Sequence, residues 1–277
     1  MQRTLIFNKR GFCMENKKDR SEVPALESTI KILEYLSRYN HRASSLADIC
    51  KDVNINKSTC HRILKVLENH NYVVYNENKK QYSLGSSLVV LGARASEYID
   101  YLELCKPHLK ELCEETQQTV VLLEPTSNDR LMYVAKEEPH LTVRVTVSIG
   151  QRFPLTSASF GKCYLAFMNE SRADEFIQKS GIKQFTSKTI TNIEEFKQEL
   201  NNVRMKGYAE SYEEHTPGVC GVAAPIFNLH GEVKLVVSCL FLSSQPDADA
   251  SFYGNKVLEV SRTLTNAMGG KPPIRGL

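Results

Sequence analysis

No apolar run in the sequence approaches the roughly 20 residues that a helix needs to span a lipid bilayer. The first 13 residues, MQRTLIFNKRGFC, contain too short an apolar core for a secretory signal. We therefore expect a cytoplasmic protein with no membrane partner. The chain is 42% hydrophobic and 24% charged, as in ordinary globular proteins, and 277 residues are enough for two domains with separate cores.

Cysteine pairs of the kind that bind metals are missing. The eight cysteines are scattered and form no Cys-x-x-Cys pair, so neither a zinc site nor another metal or cofactor site is expected. Five of them fall within apolar patterns, where reduced and buried thiols are the rule. These are Cys50, Cys60, Cys105, Cys163 and Cys239.

The common catalytic motifs are also missing. The sequence has no Gly-x-Ser-x-Gly, no His-Glu-x-x-His, no Walker loop and no Gly-x-Gly-x-x-Gly. A hydrolase could be imagined from Ser157 or Ser159 with His215 and either Glu213 or Glu214. The stretch EEHTPG is better explained as a loop before a strand, so we expect no enzyme activity and keep a small-molecule hydrolase as the weaker alternative.

Charge is distributed unevenly along the chain. Residues 1–85 hold 15 Lys and Arg against 9 Asp and Glu, whereas residues 86–277 hold 20 against 23. A basic N-terminal third beside a mildly acidic remainder indicates two different tasks, one of them near a polyanion.

Residues 24–85 carry the pattern of a winged helix-turn-helix. A first helix begins at Pro24, and its apolar residues recur at helical spacing: Leu26, Ile30, Leu33 and Leu36, with Ile32 and Tyr35 widening the stripe. A second helix begins after Ser45, with Asp48 completing a capping box. A third runs from about 57 to 69, after a turn at 54–56, and two strands at 72–75 and 81–84 form a hairpin.

The third helix has a polar face suited to DNA. Six of its residues avoid the apolar stripe and are expected to face solvent: Lys57, Ser58, Thr59, His61, Arg62 and Lys65. Hydroxyl groups and an arginine are what contacts to phosphates and guanine edges require. The hairpin tip, residues 76–80, adds Lys79 and Lys80 for phosphate contacts. We predict binding to double-stranded DNA, against the alternative of an ordinary helical module with a surface hairpin.

Residues 86–106 continue as a connector helix with an apolar side that could form a dimer contact, and Pro107 is expected to break or restart it. Beyond it, helices alternate with hairpins, which predicts an α+β domain with an antiparallel sheet covered by helices. The predicted strands are 119–124, 130–136, 208–212, 219–227 and 233–241, and residues 142–150 also alternate with period two. The predicted helices are 107–116, 159–168, 170–180, 193–206 and 249–268.

Over residues 24–268 the chain resembles the IclR family of bacterial transcriptional regulators. The segments that carry the resemblance are VPALESTIKILEYL, NKSTCHRILKVLE, YSLG, PLTSASFGK and GYAESYEEHTPGVCGVAAPIFNLHGEV. The resemblance implies a DNA-binding homodimer or tetramer whose C-terminal, GAF-like domain binds a small organic acid. It also implies a regulator, expected to be a repressor, that reads a palindromic operator.

The resemblance places the effector pocket between the helix that opens after PLTSASFGK and the last two strands. Transferred position by position, its lining residues are Ser159, Phe160, Ser211, Val219, Gly221 and Ser238. Phe160 is bulkier than the residue that members often carry, Ser211 stands where some have Asp, and Leu240 where some have a second Ser. The resemblance therefore implies a smaller or more apolar pocket than in glyoxylate-type or pyruvate-type sensors.

The expected organisation is an arm (1–23), a winged helix-turn-helix (24–85), a connector helix (86–106), an effector-binding domain (107–268) and a tail (269–277).

Lys9-Arg10-Gly11 is what a purine-rich ribosome-binding sequence encodes in frame, so we expect Met14 to be the native start, which intact mass would test. A sensor that acts through protein partners alone is the remaining alternative function.

Overall fold

The computed structural model describes residues 23–98, 100–245 and 249–273. The predicted arm (apart from Val23) and the Met14 start fall outside these residues, as do the last four residues of the predicted tail. The chain divides into two compact units between Leu88 and Val89.

The first unit contains the predicted helices and hairpin. Its elements are α1 (Pro24–Leu36), a 3-10 turn (Tyr39–His41), α2 (Leu46–Val53), α3 (Lys57–Asn69), β1 (Val73–Asn76) and β2 (Gln81–Leu84). The predicted capping box at the start of α2 is confirmed, because the Ser45 hydroxyl accepts from the Asp48 amide and the Asp48 carboxylate accepts from the Ser45 amide, both at 3.3 Å. Asn54 ends α2 in the left-handed conformation, with φ 56°, and turns the chain toward α3.

The predicted apolar stripe of α1 was wrong in its first half. Leu26 and Ile30 are 57% and 49% exposed, and the buried residues of the helix are Ile32, Tyr35 and Leu36. The second half of α1 therefore carries its packing against the described core of this unit.

The wing is better anchored than the sequence indicated. Ser44 forms a bridge to Tyr82 of β2, with backbone bonds of 3.0 and 2.8 Å, and so adds a short third strand. Gly85 follows β2 where the chain turns back past Asn71. A Cβ at position 85 would lie 2.1 Å from the Asn71 carbonyl oxygen, so this position of the YSLG segment requires glycine.

The second unit is an α+β domain around one six-stranded antiparallel sheet, as predicted. Its strands are β3 (Thr119–Thr126), β4 (Arg130–Glu137), β5 (Arg152–Pro154), β6 (Ala209–Tyr212), β7 (Val219–Phe227) and β8 (Val233–Leu242), in the order β5-β4-β3-β8-β7-β6. Its helices are α5 (Asp100–Thr116), α6 (Ala158–Phe167), α7 (Glu170–Ser180), α8 (Ile193–Lys206) and α9 (Ala250–Ala267), while α4 (Ser87–Tyr98) spans the boundary between the units.

Both faces of the sheet are covered, which explains the nearly continuous apolar runs of β7 and β8. Alternate residues of each strand belong to different cores. In β3, Val121 and Leu123 pack with α6, α7 and α8, whereas Val120 and Leu122 pack with α5 and α9. The first of these cores contains the cavity discussed below.

Two expectations for this unit were wrong. Pro107 lies inside α5, because Cys105 and Leu109 on either side of it are buried in the core and packing holds the helix together. Residues 142–150 form no strand despite their alternation. Val145 and Val147 do turn inward, but the segment begins with bends at 142 and 143, ends in a turn at 149 and 150, and has no ladder; β5 starts after it.

Among the described residues, no helix combines the length and apolarity that a membrane span requires.

Candidate functional sites

A groove of about 510 Å³ in the first unit joins the recognition face of α3 to the wing. It brings four of the predicted DNA-binding residues together: Lys57, His61 and Lys65 of α3, and Lys80 after β1. The three α3 residues follow each other at intervals of four, so they form one row along the helix. The rest of the lining consists of Ser45, Leu46, Ala47, Glu68, Tyr75 and Tyr82, so the groove also contains one acidic residue.

The other four predicted residues lie outside this groove. Arg62 and Lys79 are exposed, and Thr59 is half-buried rather than solvent-facing. Ser58 is exposed, but its hydroxyl donates to Asn56 Oδ1 at 2.9 Å. Asn56 is the N-cap of α3 and also accepts from the Thr59 amide at 2.8 Å, so Ser58 can offer DNA its acceptor lone pairs.

The positive charges on this face are not neutralised by the protein. Within the described ranges, none of Lys57, Arg62, Lys65, Lys79 and Lys80 forms an ion pair. Lysine and arginine side chains without protein partners can displace counterions from phosphates. The face therefore has the charge that a DNA backbone attracts.

A cavity of about 210 Å³ lies in the second unit between α6, the sheet and the segment before β5. Its floor is one row across three strands, since Ser211 pairs with Gly221 and Gly221 pairs with Leu240. A Cβ at position 221 would lie 3.1 Å from the Ser159 hydroxyl and 3.0 Å from the Leu240 side chain. Gly221 thus keeps the space between the sheet and α6 open.

The N-terminus of α6 is left without its usual cap. Ser157 occupies the N-cap position but makes no side-chain cap bond. The hydroxyls of Ser157 and Ser159 are buried and have no hydrogen-bond partner among the described residues. Gly161 is the first residue whose amide bonds within the helix, to the Ser157 carbonyl at 3.1 Å. The earlier amides and the helix dipole make this end of the cavity suited to an anion.

The backbone at this point is strained. Ala158 has φ 55°, which is unfavourable for a residue with a Cβ. Such strain costs on the order of 1–3 kcal/mol and concentrates at functional sites. Ala158 also lines the cavity, so the strain and the unpartnered hydroxyls occur together.

Aromatic rings close one side of the cavity. The Phe160 ring lies 4.8 Å from Phe153 and 6.0 Å from Tyr133, both in edge or tilted arrangements. All three residues line the cavity, so the wall presents flat apolar surfaces to a ligand.

The loop from Glu213 to Gly218 forms the remaining wall and is held from two sides. Lys162 of α6 is fully buried, and its ammonium lies 2.7 Å from Glu214 and 3.3 Å from Glu199. Lys188 lies 2.8 Å from Glu213, whose pKa is lowered to about 2 first by this contact and then by the Gly218 amide. These contacts fix the backbone that carries His215 and Thr216 into the cavity.

Five of the six predicted effector residues line this cavity, namely Ser159, Phe160, Ser211, Val219 and Gly221. Ser238 does not. It pairs with Ala223, whereas Leu240 pairs with Gly221. Ser238 therefore lies on the same face of the sheet as Leu240, two residues earlier in β8, and it is fully buried. Its hydroxyl donates to the Val222 carbonyl at 2.7 Å, and Leu240 takes the lining position instead.

Several lining residues were not predicted. They are Tyr133, Val145, Thr146, Val147, Gln151, Phe153, Ala158, His215, Thr216 and Cys220. The inward alternation of Val145 and Val147 was a usable signal. His215 was considered only as part of a hydrolase.

The geometry gives that hydrolase no catalytic set. Neither the Ser157 nor the Ser159 hydroxyl has a partner among the described residues, and His215 Nδ1 lies 2.9 Å from Thr216 Oγ1. Glu213 and Glu214 hold lysines instead of orienting the imidazole. A serine nucleophile needs a base and an orienting group in line, and these residues do not provide them.

All five cysteines expected in apolar patterns are free thiols, four of them buried and Cys50 half-buried. Cys113 and Cys220 are buried as well. In the described part of the chain, no group of three or more His, Cys, Asp or Glu could hold a metal ion.

Two family models match the two units. The IclR helix-turn-helix domain matches residues 25–77, and the C-terminal domain of the bacterial transcriptional regulator IclR matches residues 94–265. The chain belongs to the IclR family. It is a helix-turn-helix transcriptional regulator, as its relatives in this family are.

Individual relatives align over nearly the whole chain. The HTH-type transcriptional regulator XynR of Escherichia coli K12 is 30% identical over 250 residues, which are 89% of this chain and 99% of XynR. The HTH-type transcriptional repressor AllR of Klebsiella pneumoniae is 28% identical, over 90% of this chain and 91% of AllR. The crystal structure of an IclR transcriptional regulator from Alicyclobacillus acidocaldarius superimposes with TM-score 0.83 and 36% identity, covering 90% of this chain and 100% of that one.

Proposed function

We propose that this IclR-family protein is a cytoplasmic repressor that binds a palindromic operator through α3 and the wing, and that a small organic carboxylate in the cavity controls this binding. The observation that carries the effector proposal is the N-terminus of α6, which has no side-chain cap. Ser159, which lines the cavity, has a buried hydroxyl with no partner among the described residues, and the amides before Gly161 make no bond within the helix. Buried polar groups are normally satisfied, so a bound anion is a reason for these to be left open.

For DNA, we propose that Arg62 and Ser58 reach base edges in the major groove and that Lys79 or Lys80 holds a phosphate. Arg62→Ala should cost about 1–3 kcal/mol of operator affinity and relax specificity at one base pair. Lys80→Ala should weaken all sequences alike and flatten the salt dependence. Lys110→Ala, which removes an exposed charge from the second unit, serves as the control in an electrophoretic mobility shift titration on the upstream region of the gene.

Unchanged operator affinity in a folded Arg62→Ala variant would refute the major-groove assignment. If the wild type shifts no DNA at any salt concentration, the protein acts through protein partners instead. A reporter fused to the bound promoter shows the direction of control, and lower expression in the presence of the protein supports repression, as in AllR.

We propose that the protein acts as a homodimer or a dimer of dimers. One winged helix reads only a few base pairs, so a useful site needs at least two copies. The predicted connector helix 86–106 is divided between α4 and α5. Its first part, α4, offers an apolar surface for this contact, since Val89, Val90 and Leu91 are 72%, 61% and 51% exposed. Val90→Glu should shift a dimer toward monomer in analytical ultracentrifugation, whereas a monomeric wild type at micromolar concentration would contradict the proposal.

For the effector, we propose that the carboxylate accepts bonds from the Ser159 hydroxyl and from the amides of Ser159 and Phe160. The body of the ligand lies over the row of Ser211 and Gly221, with Val219 at its edge. Phe160 limits the cavity to flat molecules such as 2-oxo or aromatic acids. Thermal unfolding with pyruvate, benzoate and their amides tests this, and Phe160→Ala should admit larger acids because it removes the aromatic wall.

Equal stabilisation of the protein by a carboxylate and by its uncharged amide would refute the proposed anion site. The same titrations added to the mobility shift assay test the link between the two units. An effector should change operator affinity in the wild type and have no effect on a variant that does not bind it.

A further inference from the structure

The proposed carboxylate needs a positively charged partner, and the described cavity wall contains no permanently charged cation. Among the described lining residues there is no lysine, arginine, aspartate or glutamate. Lys162 of α6 is buried, but Glu214 and Glu199 already bind its ammonium, and it does not line the cavity. A carboxylate transferred from water into this cavity would therefore have hydrogen-bond donors but no charge partner.

The wall does contain three titratable groups: Tyr133, His215 and Cys220. Burial raises the pKa of Tyr133 and of Cys220, so both are neutral near pH 7 and could only become negative. His215 is thus the titratable group in the described wall that can become positive.

The His215 ring is held in place. It lies 4.4 Å from the Phe185 ring and 5.3 Å from the Phe153 ring, and Nδ1 is 2.9 Å from Thr216 Oγ1. With Nδ1 engaged in this way, Nε2 is the ring nitrogen that is open to a ligand. A fixed imidazole loses little conformational entropy on binding.

The charges around this ring favour its neutral form in the empty cavity. Burial and then the neighbouring Lys183 lower the pKa of His215. On the same loop as His215, Glu213 is paired with Lys188 and Glu214 with Lys162. Their negative charges therefore do not offset the effect of Lys183 on the pKa of His215. On β5, Arg152 alternates with Phe153 and points to the opposite side of the strand.

We propose that His215 is the charge partner of the effector: it is neutral in the free cavity and takes up a proton when an organic carboxylate binds. This inference rests on the proposed effector site. It makes His215 the residue that distinguishes an anionic acid from an uncharged molecule of the same shape.

Proton uptake has a defined sign. A bound carboxylate favours the imidazolium and raises the pKa of His215 in the complex above its value in the free protein. Between these two values, affinity for the carboxylate falls as pH rises, at the steepest by about tenfold per pH unit. Affinity for an uncharged ligand stays constant over the same range.

Isothermal titration calorimetry of the full-length protein with benzoate tests the proposal, with benzamide as the uncharged match. Titrations at pH 6, 7 and 8, each in two zwitterionic buffers that titrate near that pH and differ in ionisation enthalpy, give the number of protons taken up. We expect uptake with benzoate and none with benzamide. His215→Gln should abolish the uptake and the pH dependence of benzoate binding.

The matched control is His230→Gln, which changes an exposed histidine on the turn between β7 and β8, outside the cavity. It should keep the full proton uptake. Benzoate binding without uptake, or uptake that persists in His215→Gln, would overturn the role of His215 and leave the effector site standing. Failure of benzoate to bind the wild type at all would overturn the aromatic-acid site and this inference together.

Discussion

Ser159 and Ser238 are both fully buried, yet replacing each by alanine should change the stability of the free protein in opposite directions. The Ser238 hydroxyl donates to the Val222 carbonyl at 2.7 Å, whereas the Ser159 hydroxyl has no partner among the described residues. Removing one partner of a buried bond costs about 1–3 kcal/mol, while removing an unsatisfied group relieves a penalty of similar size. Ser159 faces a cavity with room for water, so we expect the smaller end of that range there.

The expected values are therefore a gain of about 1 kcal/mol for Ser159→Ala and a loss of about 1–3 kcal/mol for Ser238→Ala. In domains of roughly 150–250 residues, 1 kcal/mol corresponds to a change in Tm of about 2–4 °C. Circular dichroism is the suitable signal, since the chain has no tryptophan. The same melts with saturating benzoate should show a smaller ligand shift for Ser159→Ala and an unchanged one for Ser238→Ala.

A fall in Tm for Ser159→Ala equal to that for Ser238→Ala would refute the reasoning. It would mean that the Ser159 hydroxyl has a structural partner in solution and serves only to cap α6. Gain of stability with loss of ligand response, in contrast, is the combination expected of a functional residue that is left unsatisfied.

Three further substitutions test the packing. Lys162→Met should lower the free energy of unfolding, measured in urea, by about 2–4 kcal/mol, because Glu214 would remain mostly buried without its cation. Adding Glu214→Gln should restore part of this stability, and an unchanged free energy of unfolding in Lys162→Met would contradict the reasoning. Gly85→Ala should destabilise the winged helix by at least about 1–3 kcal/mol and abolish operator binding, since its Cβ would lie 2.1 Å from the Asn71 carbonyl oxygen; wild-type DNA affinity would disprove the close approach. Pro107→Ala should stabilise the chain by about 1–3 kcal/mol by restoring a backbone donor inside α5, and a lower Tm would show that the ring packs favourably.

The sequence by itself determined those parts of the fold that depend on neighbours along the chain. The capping box of Ser45 and Asp48 is complete within four residues, so the start of α2 could be read without any tertiary information. The bounds of β7 were also predicted as observed, because a strand buried on both faces is an uninterrupted apolar run. The family segments then indicated which end of α6 we propose to face the ligand.

Tertiary structure determined the role of each residue that depends on a partner distant in the chain. The alternation at 142–150 is typical of a strand, and Val147 is indeed buried, although Val143 is 71% exposed. A strand needs a neighbouring strand to pair with, and none of the described strands forms a ladder with this segment. Leu240 and Ser238 lie on the same face of β8, and only the position of α6 over the sheet determines which of them lines the cavity. His215 and Ser159 are far apart in the chain and line one cavity because Lys162 and Lys188 hold the loop from Glu213 to Gly218 against the domain. Local periodicity encodes how each segment folds, whereas the register of the sheet and the packing of helices on it determine which side chains meet.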